Sequence, residues 1–143
     1  MRRCRVLILI LVLTALMSSV ASAEVKRDEL IVSPNYLVTE KIITTFQIDK
    51  DGLSDSRIIV RPKTSSAVDN VKANVSIIKD STGLPVKTWG NITLSPNDYG
   101  SYYFNENYKI QVKGSYHLEV TIKLYGGTTL KETVECESVS DSF

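Results

Sequence analysis

The chain has 143 residues, of which 43% are hydrophobic and 23% are charged, enough for the core of one modest domain. Its 17 lysines and arginines nearly balance its 16 aspartates and glutamates, which gives a formal net charge of +1. This balance provides no electrostatic case for binding nucleic acid or an anionic membrane.

The first 23 residues have the three parts of a secretory signal peptide. A basic start with Arg2, Arg3 and Arg5 precedes an apolar stretch over 6–17, and residues 21–23 form the small-residue cleavage motif Ala-Ser-Ala. The apolar stretch is shorter than the roughly 20 residues that a membrane-spanning helix needs. We therefore predict a signal peptide over 1–23, cleavage before Glu24, and a secreted domain over 24–143 without a membrane anchor.

Loss of the leader changes both the charge and the cysteine count. Because the leader carries three arginines and no acidic residue, the net charge moves from +1 to about −2. Cys4 is lost with the leader and Cys136 remains. A single cysteine cannot close an internal disulfide, so the mature domain is expected to fold on its core alone.

The mature chain has the pattern of an all-β protein, with β-branched and aromatic runs separated by turn residues. Polar loops are predicted over 49–56 and 64–70, a bulge at Gly90, and an interruption over 105–107. Seven or eight short strands in a chain of this size predict a two-sheet sandwich, with a small barrel as the alternative. The strands are expected over 36–48, 57–61, 71–77, 86–94, 102–112 and 116–124, followed by a last strand with Leu130, Val134 and Cys136.

The segment 114–120, which reads Gly-Ser-Tyr-His-Leu-Glu-Val, resembles the F strand of immunoglobulin-like domains. In that strand a tyrosine lies two residues before a core position, and its hydroxyl bonds to nearby backbone. Here the two positions are Tyr116 and Leu118. The resemblance implies a single immunoglobulin-like antiparallel β-sandwich of seven to eight strands.

Several short motifs resemble those of small secreted proteins of unassigned function from Gram-positive, Clostridia-like bacteria. The resemblance implies a bacterial, exported, single-domain protein, and it implies no activity and no site residues. One departure is Leu84-Pro85, where such chains more often carry an aromatic residue. The motifs are Ser33-Pro34-Asn35-Tyr36, Val86-Lys87-Thr88-Trp89, Gly114-Ser115-Tyr116, Leu124-Tyr125-Gly126-Gly127 and Glu132-Thr133.

The one catalytic hypothesis is a nucleophile–base pair of Cys136 and His117 on neighbouring strands. The apolar faces of the last two strands match only if the numbers of two residues that face each other add up to an even number. A three-residue loop over 125–127 gives such a register, with Gly127 in the left-handed position. Leu118 is then expected opposite Val134. In this register His117 and Cys136 lie on opposite faces, so no catalytic residue is assigned.

No metal site is assigned either. Asp49, Asp51 and Asp55 surround Gly52, as in a calcium loop, but the EF-hand spacing places Gln47 and Ile58 at the first and last ligand positions. A polar turn is the favoured interpretation, although a looser calcium site built from side chains and carbonyls stays open. Zinc has less support, and no cofactor is expected.

Aromatic residues supply the binding hypothesis. Five of them crowd into residues 99–108 beside glycine, serine and asparagine, the composition that binding loops favour. If this segment is a recognition surface, Tyr99 and Tyr103 should be exposed while Tyr102 and Phe104 are buried. Trp89 is a third candidate binding residue. Core packing is the alternative interpretation for the whole group.

These features together favour a secreted, non-catalytic binding module. The expected partner is an extracellular protein or a carbohydrate, and not nucleic acid or membrane. A small secreted enzyme or enzyme inhibitor is the alternative, and a structural component of the envelope or matrix is a third class. A concave pocket with convergent, pKa-shifted groups would favour the enzyme, whereas an aromatic patch on loops would favour the binding module.

Overall fold

A computed structural model describes residues 30–32 and 37–143; the signal peptide and the cleavage site before Glu24 lie outside this part of the chain. The described residues form strands and no helix. The ten strands are β1 (Leu30–Val32), β2 (Thr39–Ile48), β3 (Leu53–Pro62), β4 (Asn70–Lys79), β5 (Leu84–Thr93), β6 (Ser95–Pro96), β7 (Tyr102–Lys109), β8 (Ser115–Gly126), β9 (Thr129–Glu137) and β10 (Asp141–Ser142).

The strands form two antiparallel sheets that pack as a sandwich. One sheet has the order β1-β2-β3-β7-β6, and the other has β5-β4-β8 with β9 and β10 following one another along the outer edge of β8. Within the first sheet, β2-β3-β7-β6 match strands A-B-E-D of immunoglobulin-like domains. Within the second, β5-β4-β8-β9 match strands C′-C-F-G. The predicted immunoglobulin-like β-sandwich is therefore confirmed.

Strict alternation in the central strands builds the core between the sheets. In β8 every second residue from Tyr116 to Leu124 is buried, and β4 shows the same alternation from Val71 to Ile77. Because side chains on a strand point alternately to opposite faces, this pattern places one apolar face of each strand against the other sheet. The residues that fill the centre and are nearly inaccessible include Ile42, Ile58, Val60, Val75, Leu118 and Ile122.

Tyr116 makes the predicted corner at the start of β8. Its ring is fully buried, and its hydroxyl donates a 2.6 Å hydrogen bond to the backbone oxygen of Val112 four residues upstream. Leu118, two residues later, is fully buried in the core. The F-strand resemblance implied the hydroxyl bond of the tyrosine and the core position two residues later, and both are confirmed. They were predictable because the motif specifies a contact between residues close in the chain.

Two predicted interruptions turn out to be continuous strand. β3 begins at Leu53, so the second half of the polar segment predicted as a loop over 49–56 lies in the sheet, with Ser54 and Ser56 on the buried face. Strand β7 runs unbroken through 105–107, since it pairs with β3 from Leu53 to Val60. Polar residues misled the prediction here because strand pairing, and not apolar burial, keeps these segments extended.

The bulge predicted at Gly90 is confirmed. Ala73 pairs with Ile92 but Val75 pairs with Trp89, which leaves one extra residue in β5. Asn91 adopts a positive φ of 50°, and its backbone N–H donates a 2.6 Å hydrogen bond to the side chain of Asn74. The extra residue resets the phase of the strand, so Trp89 points inward despite the polar residues around it.

The predicted register of the β8–β9 hairpin is wrong by four residues. Val134 lies opposite Ile122, and Cys136 lies opposite Val120. Tyr125 and Gly126 extend β8, the turn is Gly127-Thr128, and Lys131 is an extra residue in β9. Gly127 takes the expected left-handed conformation, with φ of 61°. Since the displacement is an even number, Val134 and Cys136 keep their core face, but Leu130 is 49% exposed.

Candidate ligand-binding site

Three loops meet at one end of the sandwich: 63–69 after β3, 97–101 before β7, and the turn at 127–128. The backbone N–H of Asp69 bonds to the oxygen of Tyr125 at 3.0 Å, and the Asp69 carboxylate accepts a hydrogen bond from Gly127 N–H at 3.0 Å. A Cβ at Gly126 would clash with the backbone oxygen of Ala67, so the two segments touch backbone to backbone. In immunoglobulin-like sandwiches the loops cluster at the two ends, and this is one of them.

Three hydrogen bonds of the Asn97 side chain brace the loop 97–101. Its side-chain oxygen accepts hydrogen bonds from the backbone N–H groups of Tyr99 and Ser101, at 3.0 and 2.9 Å. Its side-chain nitrogen donates to the hydroxyl of Tyr103 at 3.2 Å. Gly100, at φ of 72°, completes the turn. The loop therefore presents Tyr99 on a rigid support, where the residue is 86% exposed.

A cleft of about 580 Å³ opens between the loops 63–69 and 97–101. This volume lies within the range of roughly 300–1,000 Å³ that is typical of small-molecule sites. Tyr99 and Gly100 line one side, and Thr64, Ser66 and Val68 line another. Because most lining side chains carry a polar group, the cleft suits a ligand with many hydrogen-bonding groups more than an apolar one.

Charged residues at the ends of β2 and β3 give the cleft its electrostatic character. Glu40, Arg61 and Lys63 line it, so two cations face one anion. Lys63 Nζ lies 3.4 Å from the backbone oxygen of Leu37. Among the residues that the structure describes, Arg61 forms no ion pair, and its Nε donates a 3.4 Å hydrogen bond to Ser101 Oγ. The guanidinium of Arg61 thus keeps most of its donors for another group.

Tyr102 is the most deeply buried of the tyrosines that line the cleft. Its side chain is 8% exposed. Burial, reinforced by the negative charge of Asp69, raises the pKa of Tyr102 above its usual value of 10.0. At neutral pH the phenol therefore stays protonated and can both donate and accept a hydrogen bond.

A second, smaller hollow continues from the cleft onto the outer face of the first sheet. It measures about 130 Å³ and is lined by Lys41, Ile43, Ile59, Arg61 and Tyr103. The backbone register places Ile43, Ile59 and Tyr103 side by side across three strands. Arg61 belongs to both hollows, so it stands at their junction.

Sequence reasoning missed this apolar row, although a signal was present. Ile58, Ile59 and Val60 are consecutive apolar residues in β3, and neighbours on a strand point to opposite faces. Because Ile58 and Val60 are buried in the core, Ile59 has to lie on the outer face. An apolar run of three in an antiparallel strand therefore indicates one outward apolar residue.

The predicted exposure of the aromatic segment is confirmed. Tyr99 and Tyr103 are 86% and 39% exposed, whereas Tyr102 and Phe104 are each 8% exposed. Trp89 does not join them. Its ring meets Phe104 edge to face at 5.4 Å, with Lys87 Nζ 5.2 Å from the indole, between the two sheets. Trp89 therefore serves packing more than a shared binding surface with the tyrosines.

His117 and Cys136 lie on opposite faces of their sheet, as predicted. The Cys136 thiol is buried and lies 3.6 Å from the hydroxyl of Thr44. His117 bonds through Nδ1 to Asp80 at 2.6 Å, and its Nε2 lies 3.8 Å from Glu119. The nucleophile–base pair therefore does not form.

Asp80 gathers a polar cluster on the outer face of the second sheet. Its carboxylate accepts a 2.5 Å hydrogen bond from Ser115 Oγ and contacts His117. Burial alone would raise the pKa of Asp80, but hydrogen bonds with Ser115, His117 and Ser140 outweigh burial and lower it. The carboxylate lies between the serine and the histidine, whereas a serine nucleophile needs direct contact with the imidazole.

The acidic residues around Gly52 have other partners in the structure. Asp49 Oδ1 accepts hydrogen bonds from the N–H groups of Asp51 and Leu53, at 2.9 and 2.8 Å, which closes the turn into β3. Asp55 forms an ion pair with Arg57 at 2.5 Å. Over residues 30–32 and 37–143, no group of three or more histidine, cysteine, aspartate or glutamate residues is placed to hold a metal ion.

The burial of Cys136 predicts an unreactive thiol. Burial, opposed by the hydrogen bond with Thr44 and reinforced by the charge of Glu137, raises the pKa of Cys136 above 9.0. Because the thiolate is the reactive form, the folded protein should react with a thiol reagent on the order of 100-fold more slowly than the same protein in urea. Release of thionitrobenzoate from Ellman's reagent measures both rates. Equal rates would contradict the buried position.

Comparison with known proteins adds no family to this geometry. No family model matches the chain, and no curated protein matches it. Within the described part of the chain, no helix is both long and apolar enough to cross a membrane. Function therefore has to be inferred from the chemistry of the cleft itself.

Proposed function

We propose that this protein is a secreted, non-catalytic binding module whose ligand occupies the cleft between the loops 63–69 and 97–101. The signal-peptide pattern of residues 1–23 supports export. The observation that carries the binding proposal is Tyr99, an 86% exposed aromatic residue on a loop that Asn97 holds rigid. The loop also has the tyrosine, serine, glycine and asparagine composition that binding loops favour, which supports a role for Tyr99 in contact with a partner.

The cleft is better suited to binding than to catalysis. A catalytic site needs a nucleophile or a general base in contact with an orienting group. Arg61, Lys63 and Glu40 line the cleft, but the Asp80–His117 pair, where an orienting contact is present, lies on the outer face of the other sheet. The cleft therefore offers positioning groups, and it lacks the paired acid and base that would turn over a bound molecule.

The test follows amide signals during exposure to a panel of small probes. The full chain is expressed with its leader, and the protein is purified from the medium in ¹⁵N-labelled form. The probes are a neutral monosaccharide, a uronic acid, a sugar phosphate and an acidic dipeptide. We expect at least one probe to shift the amides of residues 61–68 and 97–102. Retention of the protein inside the cell would contradict export, and shifts confined to other surfaces would contradict this cleft.

Replacing Tyr99 with alanine is expected to weaken the binding of the tightest probe about tenfold. The reason is that stacking on an aromatic ring contributes roughly 0.5–1.5 kcal/mol beyond its buried area. The melting temperature should stay close to that of the wild type, since exposed substitutions usually change stability by less than about 0.5 kcal/mol. Leu84→Ala is the matched control, because Leu84 is 64% exposed on β5. Equal binding by the two variants would rule out Tyr99 as a contact.

A further inference from the structure

We propose that the ligand of this cleft is a carboxylate-bearing sugar, with its carboxylate on Arg61 and a ring face on Tyr99. The inference rests on the proposed binding function and names the ligand class for the same site. Its basis is the combination of a guanidinium that has no ion pair among the described residues, a polar wall and an exposed aromatic ring.

Arg61 is the residue best placed to hold a carboxylate. Within residues 30–32 and 37–143 it has no acidic partner, although Arg57 on the same strand is paired with Asp55. A guanidinium presents two parallel N–H groups that match the two oxygens of a carboxylate. Because Arg61 lines both hollows, a carboxylate bound there could carry substituents into either one.

The residues around Arg61 favour an anionic group. Lys41 lines the smaller hollow together with Arg61, and Glu40 is the one acidic residue among those that line either hollow. Carboxylate and phosphate share the oxyanion that a guanidinium recognises, and the titration below distinguishes them.

The wall of the cleft favours a sugar over a peptide. Peptide recognition uses apolar pockets for side chains or the edge of a sheet. Here the exposed Thr64 and the half-buried Ser66 offer hydroxyl groups. Ser66 Oγ donates to the backbone oxygen of Lys63 at 2.6 Å, so its lone pairs remain acceptors for ligand hydroxyls.

Two apolar surfaces of the site can pack against the faces of sugar rings. Pyranose rings have an apolar face that packs against apolar surface, which the exposed ring of Tyr99 supplies. The outer hollow supplies another such surface, formed by Ile59 and Tyr103 beyond Arg61. This continuity predicts that a disaccharide with one uronic acid binds more tightly than the monosaccharide, since it covers both surfaces.

The experiment titrates the secreted protein with glucuronate, glucose, glucose 6-phosphate and an acidic dipeptide, following the amides of residues 61–68 and 97–102. We expect glucuronate to bind at least about tenfold more tightly than each of the others. Equal binding of glucose would overturn the role of the carboxylate. Tighter binding of the phosphate or the dipeptide would overturn the ligand class but leave the cleft as a binding site. If no probe shifts these amides, the proposed function fails as well.

Substitutions on β3 test the residue itself. Arg61→Gln should weaken glucuronate binding about tenfold or more, the loss expected for a charge-assisted hydrogen bond, and should leave glucose binding unchanged. Arg61→Lys keeps the charge but loses the two parallel N–H groups of the guanidinium. Its affinity for glucuronate should therefore lie between those of the Arg61→Gln variant and the wild type. Arg57→Gln is the matched control, four residues away on the same strand. An equal effect of the two glutamine variants would show only a change in net charge and would overturn the assignment.

Discussion

Glu132→Ala is expected to lower the free energy of unfolding by about 3 kcal/mol. The Glu132 carboxylate accepts hydrogen bonds from the backbone N–H groups of Leu37, Val38 and Thr39, at 2.8, 3.2 and 3.0 Å, and from the Thr39 hydroxyl at 2.7 Å. Thr39 is 1% exposed, so loss of the carboxylate leaves its two donors buried and unpaired. Each hydrogen bond to a charged group contributes roughly 1.5–3 kcal/mol, and the exposed bond at Leu37 contributes least.

Urea denaturation of the purified protein measures this effect. Glu135→Ala is the matched control, because Glu135 lies on the same strand, is exposed and faces outward. Its effect should stay within about 0.5 kcal/mol. Glu132→Gln retains one acceptor oxygen and should fall between the two. A loss of less than about 1 kcal/mol for the alanine variant would show that the chain near Thr39 finds other acceptors.

Much of the fold follows from local patterns that sequence alone contains. Alternation over 116–124 fixes the buried face of β8, and the position of Tyr116 before Leu118 specifies the corner contact with Val112. Gly90 marks the bulge that turns Trp89 inward. These features depend on residues close in the chain, so periodicity and turn chemistry are enough to predict them.

The hairpin register could not be predicted in this way because β9 carries an extra residue, Lys131, next to the turn. Strict alternation from Val134 places Leu130 in the core, on the same face as Glu132. In the structure the extra residue leaves Leu130 exposed, and the carboxylate of Glu132 accepts hydrogen bonds from backbone donors of residues 37–39. Those donors lie more than 90 positions away in the chain, and no local pattern reveals them.

The candidate site shows the same division between local and distant information. The composition of residues 99–108 predicts the exposed Tyr99 and Tyr103, because binding loops have a recognisable composition. Arg61 and Lys63 carry no such signal in the sequence. They reach the cleft because β3 and β7 are neighbours in the sheet, which is a property of the fold.

Tyr116→Phe is expected to lower the free energy of unfolding by about 2 kcal/mol. The substitution removes the 2.6 Å hydrogen bond from the phenol to the Val112 oxygen and keeps the ring that fills the core. A carbonyl left without its partner costs roughly 1–3 kcal/mol. Urea denaturation measures the change. Tyr103→Phe is the control, because Tyr103 is 39% exposed and its hydroxyl accepts a hydrogen bond from the side chain of Asn97.

The pH dependence of stability gives the same substitution a second readout. Burial raises the pKa of Tyr116 above 10.0 in the folded state, whereas the unfolded chain keeps the ordinary value. Above about pH 10 the unfolded state therefore loses a proton that the folded state retains, so stability falls as pH rises. Tyr116→Phe should show a shallower fall between pH 9 and 11 than the wild type. Equal slopes would mean that the phenol of Tyr116 ionises as readily in the folded protein as in the unfolded chain. That result would contradict the buried position of the phenol.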